Sequence, residues 1–152
     1  MRLDDTDRRI VAWLSEDGRA SYREIGAAVG LSAPAVKRRV DRLRAAGVIE
    51  GFAAVVDPGA LGWGTEAFVE VFCVGRTPPA RLAVALARLP EVIGAYTVTG
   101  EADALVHVRV SDTSHLERTL EALSDEPFVA RTRSVIVLSR LLERQVPGPP
   151  AP

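Results

Sequence analysis

Residues 21–47, SYREIGAAVGLSAPAVKRRVDRLRAAG, leave this chain little freedom in how its first third folds. Ser21 and Glu24 have the S-x-x-E spacing by which a serine and a glutamate reciprocally satisfy the free amides at a helix start. Tyr22, Ile25 and Val29 then fall three and four apart, which gives one buried stripe. Gly30 can take the left-handed conformation that closes a helix, and Ser32 can cap the next. Pro34 is tolerated in the first turn of that next helix, where amides have no intrahelical partner anyway. Two helices joined by the three-residue turn Gly30-Leu31-Ser32 form a helix-turn-helix.

The second helix separates its chemistry by face. At about 100° per residue, Val36, Val40 and Leu43 cluster in one narrow stripe, while Pro34, Arg38 and Arg42 point roughly the opposite way. Lys37 and Arg44 flank that outer face on one side and Arg39 on the other. Five cations stand against a single acid, Asp41, between Ser32 and Arg44. Such a helix suits the phosphate-lined major groove of double-stranded DNA, where arginine can also grip guanine bidentately. The expected DNA-facing residues are Ser32, Pro34, Lys37, Arg38, Arg39 and Arg42. A solvated basic face is the plainer alternative; the capped helix and tight turn before it favour DNA.

The charge distribution agrees with that placement. Net charge is only −1 over 152 residues, yet residues 1–50 carry 10 cations against 8 acids, and the remainder 9 against 12. Only one of the 19 cations, Lys37, is lysine, which reads as a base-composition bias. The single cysteine, Cys73, forbids an intramolecular disulfide and an all-cysteine metal cage, so no metal site is expected. The sequence shows no signal segment and no membrane-spanning apolar run, which makes a cytoplasmic protein the simple expectation.

Before the helix-turn-helix, Leu3, Ile10, Val11 and Leu14 give a helical face with acids in its first turn. This predicts a three-helix domain over 1–50. Residues 48–56 have β-type composition and predict a wing or hinge strand that runs from the end of that domain into a linker over 51–64, which holds the Gly-rich boundary 59–64.

Residues 65–144 repeat a simple rhythm. Strands are expected at 65–74, 92–99, 104–110 and 129–141. Helices are expected at 78–89, with Leu82, Leu86 and Leu89, and at 114–123, with Leu116, Leu120, Leu123 and a Ser114/Glu117 capping-box spacing. The order βαββαβ is that of a ferredoxin-like sandwich with both helices on one sheet face, so the fold class is α+β. The other face would present Phe68 and Phe72, or Leu105 and Val135 with Val137, depending on register. An apolar open face predicts a homodimer. The tail 145–152 is proline-rich and expected to be disordered.

The order of elements resembles the Lrp/AsnC family of feast/famine transcriptional regulators. The resemblance is carried by Leu3-Asp4-Asp5-Thr6-Asp7-Arg8-Arg9-Ile10, Gly18-Arg19, Glu24-Ile25-Gly26, Val29-Gly30-Leu31-Ser32 and Arg42-Leu43. It continues through Gly47-Val48-Ile49, Leu61-Gly62 and Thr99-Gly100-Glu101-Ala102-Asp103. It implies a DNA-binding N-terminal domain, dimers joined through the sandwich sheets and assembling to tetramers or octamers, and a small effector, commonly an amino acid. It places that effector at the loop Thr99, Gly100, Glu101, Ala102 and Asp103. Gly100 permits a conformation that offers backbone N–H groups to a carboxylate, and Asp103 could hold an ammonium. Thr132 and Ser134 on the last strand could add hydroxyls. The helix start Ser32-Ala33-Pro34-Ala35 departs from a side-chain-rich reading head, so phosphate contacts and DNA bendability are expected to carry much of the selection.

Two other classes compete. The related sirohaem decarboxylases share the architecture, and a ligand-binding or assembly module with a vestigial helix-turn-helix would too. Against an enzyme, His107 and His115 sit on different expected elements, Cys73 is remote from both in sequence, and no nucleophile-elbow, P-loop, zincin or dinucleotide fingerprint occurs. No catalytic residue and no cofactor is therefore expected.

Overall fold

The computed structural model describes residues 2–142, which form two compact units, one built on the chain up to Val55 and the other on Val56–Arg140. The expected disordered tail, 145–152, lies outside the described residues.

The first unit is three helices, α1 (Asp5–Glu16), α2 (Tyr22–Val29) and α3 (Ala33–Ala45). Ile10, Ile25, Val36, Val40 and Leu43 are fully buried at their junction, with Leu3, Val11, Leu14, Tyr22 and Val29 packed around them. Each of those buried aliphatics contributes about 2 kcal/mol by leaving water. The Ser21–Glu24 box forms as read, and Gly30 ends α2 at φ 74°. Ser32 stands at the head of α3, but its side chain makes no cap bond.

The second unit runs β1 (Thr65–Cys73), α4 (Pro79–Leu86), β2 (Val92–Thr97), β3 (Ala104–Val110), α5 (Thr113–Ser124) and β4 (Val129–Ile136). The sheet order is β2-β3-β1-β4 with every neighbouring pair antiparallel, the ferredoxin-like arrangement. Alternation along the strands does the sorting: Ala67, Val69 and Val71 on β1 and Ala104, Val106, Val108 and Val110 on β3 are buried with Leu82 and Leu86 of α4 and Leu116 and Leu123 of α5. The register unites the two candidate open-face sets, because Phe68 pairs with Val135, and Glu70, two residues on, with Leu105.

Three expectations about elements are corrected. Residues 48–56 form no wing or hinge strand: the Val48 and Ile49 amides both donate to the Leu43 carbonyl, closing α3 behind Gly47 at φ 70°. Beyond them residues 50–57 take no regular secondary structure, with Phe52, Val55 and Val56 exposed and no sheet neighbour among the described residues. Strand composition needs a neighbouring ladder to become a strand. At the start of α5 the cap is Asp112, whose side chain accepts from the His115 amide, and not Ser114. The last strand stops at Ile136, after a final bond from the Val137 amide to the Glu66 carbonyl, because β1 offers no further partner.

Candidate nucleic-acid interface and effector loop

The turn before α3 is held by backbone against backbone. The Leu31 amide donates to the Gly26 carbonyl at 2.9 Å, and a Cβ at Gly26 would lie 2.4 Å from the Leu31 carbonyl oxygen. No side chain fits there, so glycine sets how closely α3 approaches α2.

On α3, Ser32, Pro34, Lys37 and Arg38 are exposed. The Lys37 ammonium lies 2.6 Å from the Asp41 carboxylate one turn on, and both are open to solvent. Arg39 and Arg42 are placed differently from the expectation. Arg39 reaches α1, pairing with Asp4 at 2.6 Å and Asp7 at 2.7 Å, and Arg42 donates to both oxygens of Asp7 at 2.9 and 2.8 Å. Asp7 is buried (1% exposed), and a buried carboxylate must be paired. Arg42 stays half exposed, away from the Val36, Val40 and Leu43 stripe, but its long guanidinium stem reaches around the helix to an acid that the wheel does not contain.

That acid was legible only in part. Asp4 and Asp7 form a capping box on α1, each side chain accepting from the other's amide. The sequence showed acids in a first turn, but D-x-x-D is a weaker signature than S-x-x-E. The Arg39 guanidinium, and then the Asp7 amide, hold the Asp4 carboxyl below its ordinary range.

The loop between β2 and β3 exposes Thr99, Gly100, Glu101 and Asp103 and tucks in Ala102. Gly100 sits at φ 120°, open on the side where a Cβ would project. Asp103 is engaged: its amide donates to the Val71 carbonyl at 2.9 Å, and its carboxylate accepts the Cys73 amide at 2.7 Å. It fastens the loop to the end of β1. Burial, ahead of the neighbouring Asp103 charge, raises the Cys73 thiol above its usual pKa.

Thr132 and Ser134 are not gathered around that loop within the chain. They pair with Val71 and Val69 and so share the helix-covered face of the edge strand β4, where Ser134 lines a groove against Leu120 and Glu117 of α5.

The open sheet face carries cross-strand charge pairs among its aromatics. Glu66 pairs with His107 through Oε1 and with Arg140 through Oε2, and Arg109 Nε lies 3.5 Å away. His107 stacks on Phe68 with ring centres 4.4 Å apart, and Arg131 lies 3.5 Å over Phe72. Burial pushes the Glu66 pKa up, but Arg140, His107 and Arg109 together outweigh it, and the group titrates below the ordinary glutamate range. A carboxylate depressed on folding adds stability above its unfolded pKa and loses it as pH falls through the folded value. Glu66→Gln should therefore lower stability at neutral pH and flatten the acid limb, as thermal melts from pH 7 to ~3 would show.

His115 bonds Glu91 Oε1 at 2.9 Å and the Ser111 hydroxyl at 3.2 Å, an order seen in hydrolytic triads. Ser111 Oγ, however, also donates to the capping residue Asp112 at 2.9 Å, so the group reads as the closed cap of α5. The other histidine, His107, has its separate carboxylate partner on β1.

A trihelical unit whose second and third helices meet across a three-residue turn, followed by a ferredoxin-like sandwich, is the architecture of a ligand-responsive DNA-binding regulator. The AsnC-type helix-turn-helix domain matches residues 3–44, and the Lrp/AsnC ligand binding domain matches residues 66–147. The chain is 54% identical to the HTH-type transcriptional regulator Rv2324 of Mycobacterium tuberculosis over 96% of this chain and 99% of that one. Among solved structures, the feast or famine regulatory protein Rv3291c of M. tuberculosis, complexed with L-methionine, superposes with a TM-score of 0.90 at 36% identity, covering 97% of this chain and 100% of that one. The NMB0573/L-Met complex, a transcriptional regulator of Neisseria meningitidis, gives 0.87 at 29% identity over 98% and 97%. The chain belongs to the Lrp/AsnC family of helix-turn-helix transcriptional regulators.

Proposed function

We propose that α3 enters the major groove of double-stranded DNA with Ser32, Pro34, Lys37 and Arg38 facing the duplex, while Arg39 and Arg42 act from behind. The observation that carries this is the division of labour on α3: two guanidiniums fix the helix to Asp4 and Asp7, leaving Lys37 and Arg38 outward. Arg42 retains donors beyond those on Asp7 and, half exposed, can still reach a phosphate at the rim.

The effector is a small amino acid held at Thr99, Gly100, Glu101, Ala102 and Asp103. Two structural neighbours are complexes with L-methionine, which supports this class of ligand. Asp103 serves mainly as the loop's anchor to Cys73, so the ammonium partner must come from its second oxygen or from Glu101. Thr132 and Ser134 contribute only if a second copy brings its edge strand to the loop. Homodimers form through the open sheet face and assemble further to tetramers or octamers. The protein works in the cytoplasm, without catalysis or a cofactor.

The test is DNA binding to the gene's own upstream region, titrated with each common amino acid. Asp103→Asn should reduce the effector response, because the amide removes the charge an ammonium needs, and leave ligand-free DNA binding within about twofold; regulatory coupling of this kind is about 1–3 kcal/mol. An unaltered response would place the ligand elsewhere.

A further inference from the structure

Among its cations α3 carries one acid, Asp41. Its carboxylate lies 2.6 Å from the Lys37 ammonium one turn earlier, and the two side chains are 49% and 61% exposed. Asp41 stands four positions beyond Lys37 and three beyond Arg38. At about 100° per residue that sets it between them, on the outward side of the helix.

Helix stability and DNA affinity give that acid little to do. An exposed ion pair one turn apart adds little to a helix, and an anion facing a duplex is repelled by its phosphates. What Asp41 supplies is a hydrogen-bond acceptor. Lys37, Arg38 and Arg42 can only donate, and Pro34 and Ala35 offer no polar side-chain atom. Donors suit guanine, whose groove edge carries the acceptors N7 and O6. The amino group at cytosine N4 needs an acceptor, and a carboxylate serves.

The spacing of the pair is that of one base pair. Guanine O6 and cytosine N4 stand about 2.9 Å apart in their own hydrogen bond, side by side on the major-groove edge. The ammonium of Lys37 and the carboxylate of Asp41, 2.6 Å apart, present a donor and an acceptor at a closely similar spacing. In an A·T pair the amino group lies between two acceptors, adenine N7 and thymine O4, so a carboxylate there also meets O4.

We propose that Asp41, with Lys37 beside it, reads one C·G base pair in each half-site. The carboxylate accepts from cytosine N4, and the ammonium donates to guanine O6. This rests on the entry of α3 into the major groove and adds an acid to the residues that face the duplex.

The full-length protein is first used to select its preferred duplex from a randomised library. Affinities of wild type and Asp41→Ala are then measured at one salt concentration for that duplex, its single base-pair variants and an unrelated duplex. For wild type, replacing the read C·G pair by T·A should weaken binding about tenfold. N4-methylcytosine, whose methyl replaces the amino hydrogen that faces the groove, should do the same. Asp41→Ala should bind the unrelated duplex more tightly, because it has lost a negative charge, yet respond to either change by less than about twofold. Its thermal melt should match that of wild type, since Asp41 is exposed. Equal discrimination at that pair by both proteins would overturn the proposal. So would a wild type indifferent to N4-methylcytosine at every cytosine of the selected duplex. If wild type selects no duplex at all, the major-groove reading falls together with it.

Discussion

Gly26→Ala is expected to cost about 3 kcal/mol and to abolish DNA binding at physiological salt, although it adds one methyl group to a helix. Its Cβ would stand 2.4 Å from the Leu31 carbonyl oxygen, which is backbone and cannot rotate aside. To make room, α2 and the turn must separate, which breaks the bond from the Leu31 amide to Gly26 and loosens the packing of Val36. Intrinsic helix propensity argues the other way, since alanine favours a helix interior over glycine by about 1 kcal/mol. Gly30→Ala is the informative comparison. Its site is open, but φ is +74°, so the cost is backbone strain alone, about 1 kcal/mol. Denaturant unfolding of both variants would check the order: a Gly26→Ala protein as stable as Gly30→Ala would mean that the turn is not packed as described.

The second large effect is at Asp7. Its removal takes from Arg42 the carboxylate it holds, takes from Arg39 one of two (Asp4 remains), and undoes the reciprocal cap with Asp4. Breaking a fully buried ion pair costs about 3–5 kcal/mol, and because Arg39 and Arg42 are 28% and 52% exposed, about 2 kcal/mol is expected for Asp7→Ala. DNA affinity gives the sharper contrast. Deleting an acid from a DNA-binding domain should, by net charge alone, tighten binding. If Asp7 instead positions α3 through its two arginines, affinity falls, by about tenfold, which is ~1.4 kcal/mol. Tighter binding by folded Asp7→Ala would show that Arg39 and Arg42 are better used on phosphates than on Asp7.

How far the sequence reached depends on the range of the interactions involved. Ser21, Glu24, Gly30 and the stripe Val36, Val40 and Leu43 act over one or two helical turns, so spacing alone located the helix-turn-helix. The alternation of Ala104 to Val110 likewise placed β3. What depended on distant partners was not legible. Arg42 meets Asp7 across 35 residues and Cys73 meets Asp103 across 30, and no periodicity encodes either pairing. Residues 48–56 show the same limit, since their composition is that of a strand but the chain gives them no ladder. In the candidate site, the loop 99–103 was found through resemblance, and its Asp103 turned out to be tied to Cys73 by its own fold.

The central claim, that the exposed side of α3 meets DNA, is tested most directly by the salt dependence of binding to the gene's upstream region, for wild type and Arg38→Ala. Log affinity should fall linearly with log salt concentration. The Arg38→Ala line should lie below the wild-type one and be shallower by about 0.9, one phosphate's share, with folding unchanged. Lines that coincide for the two proteins would contradict it.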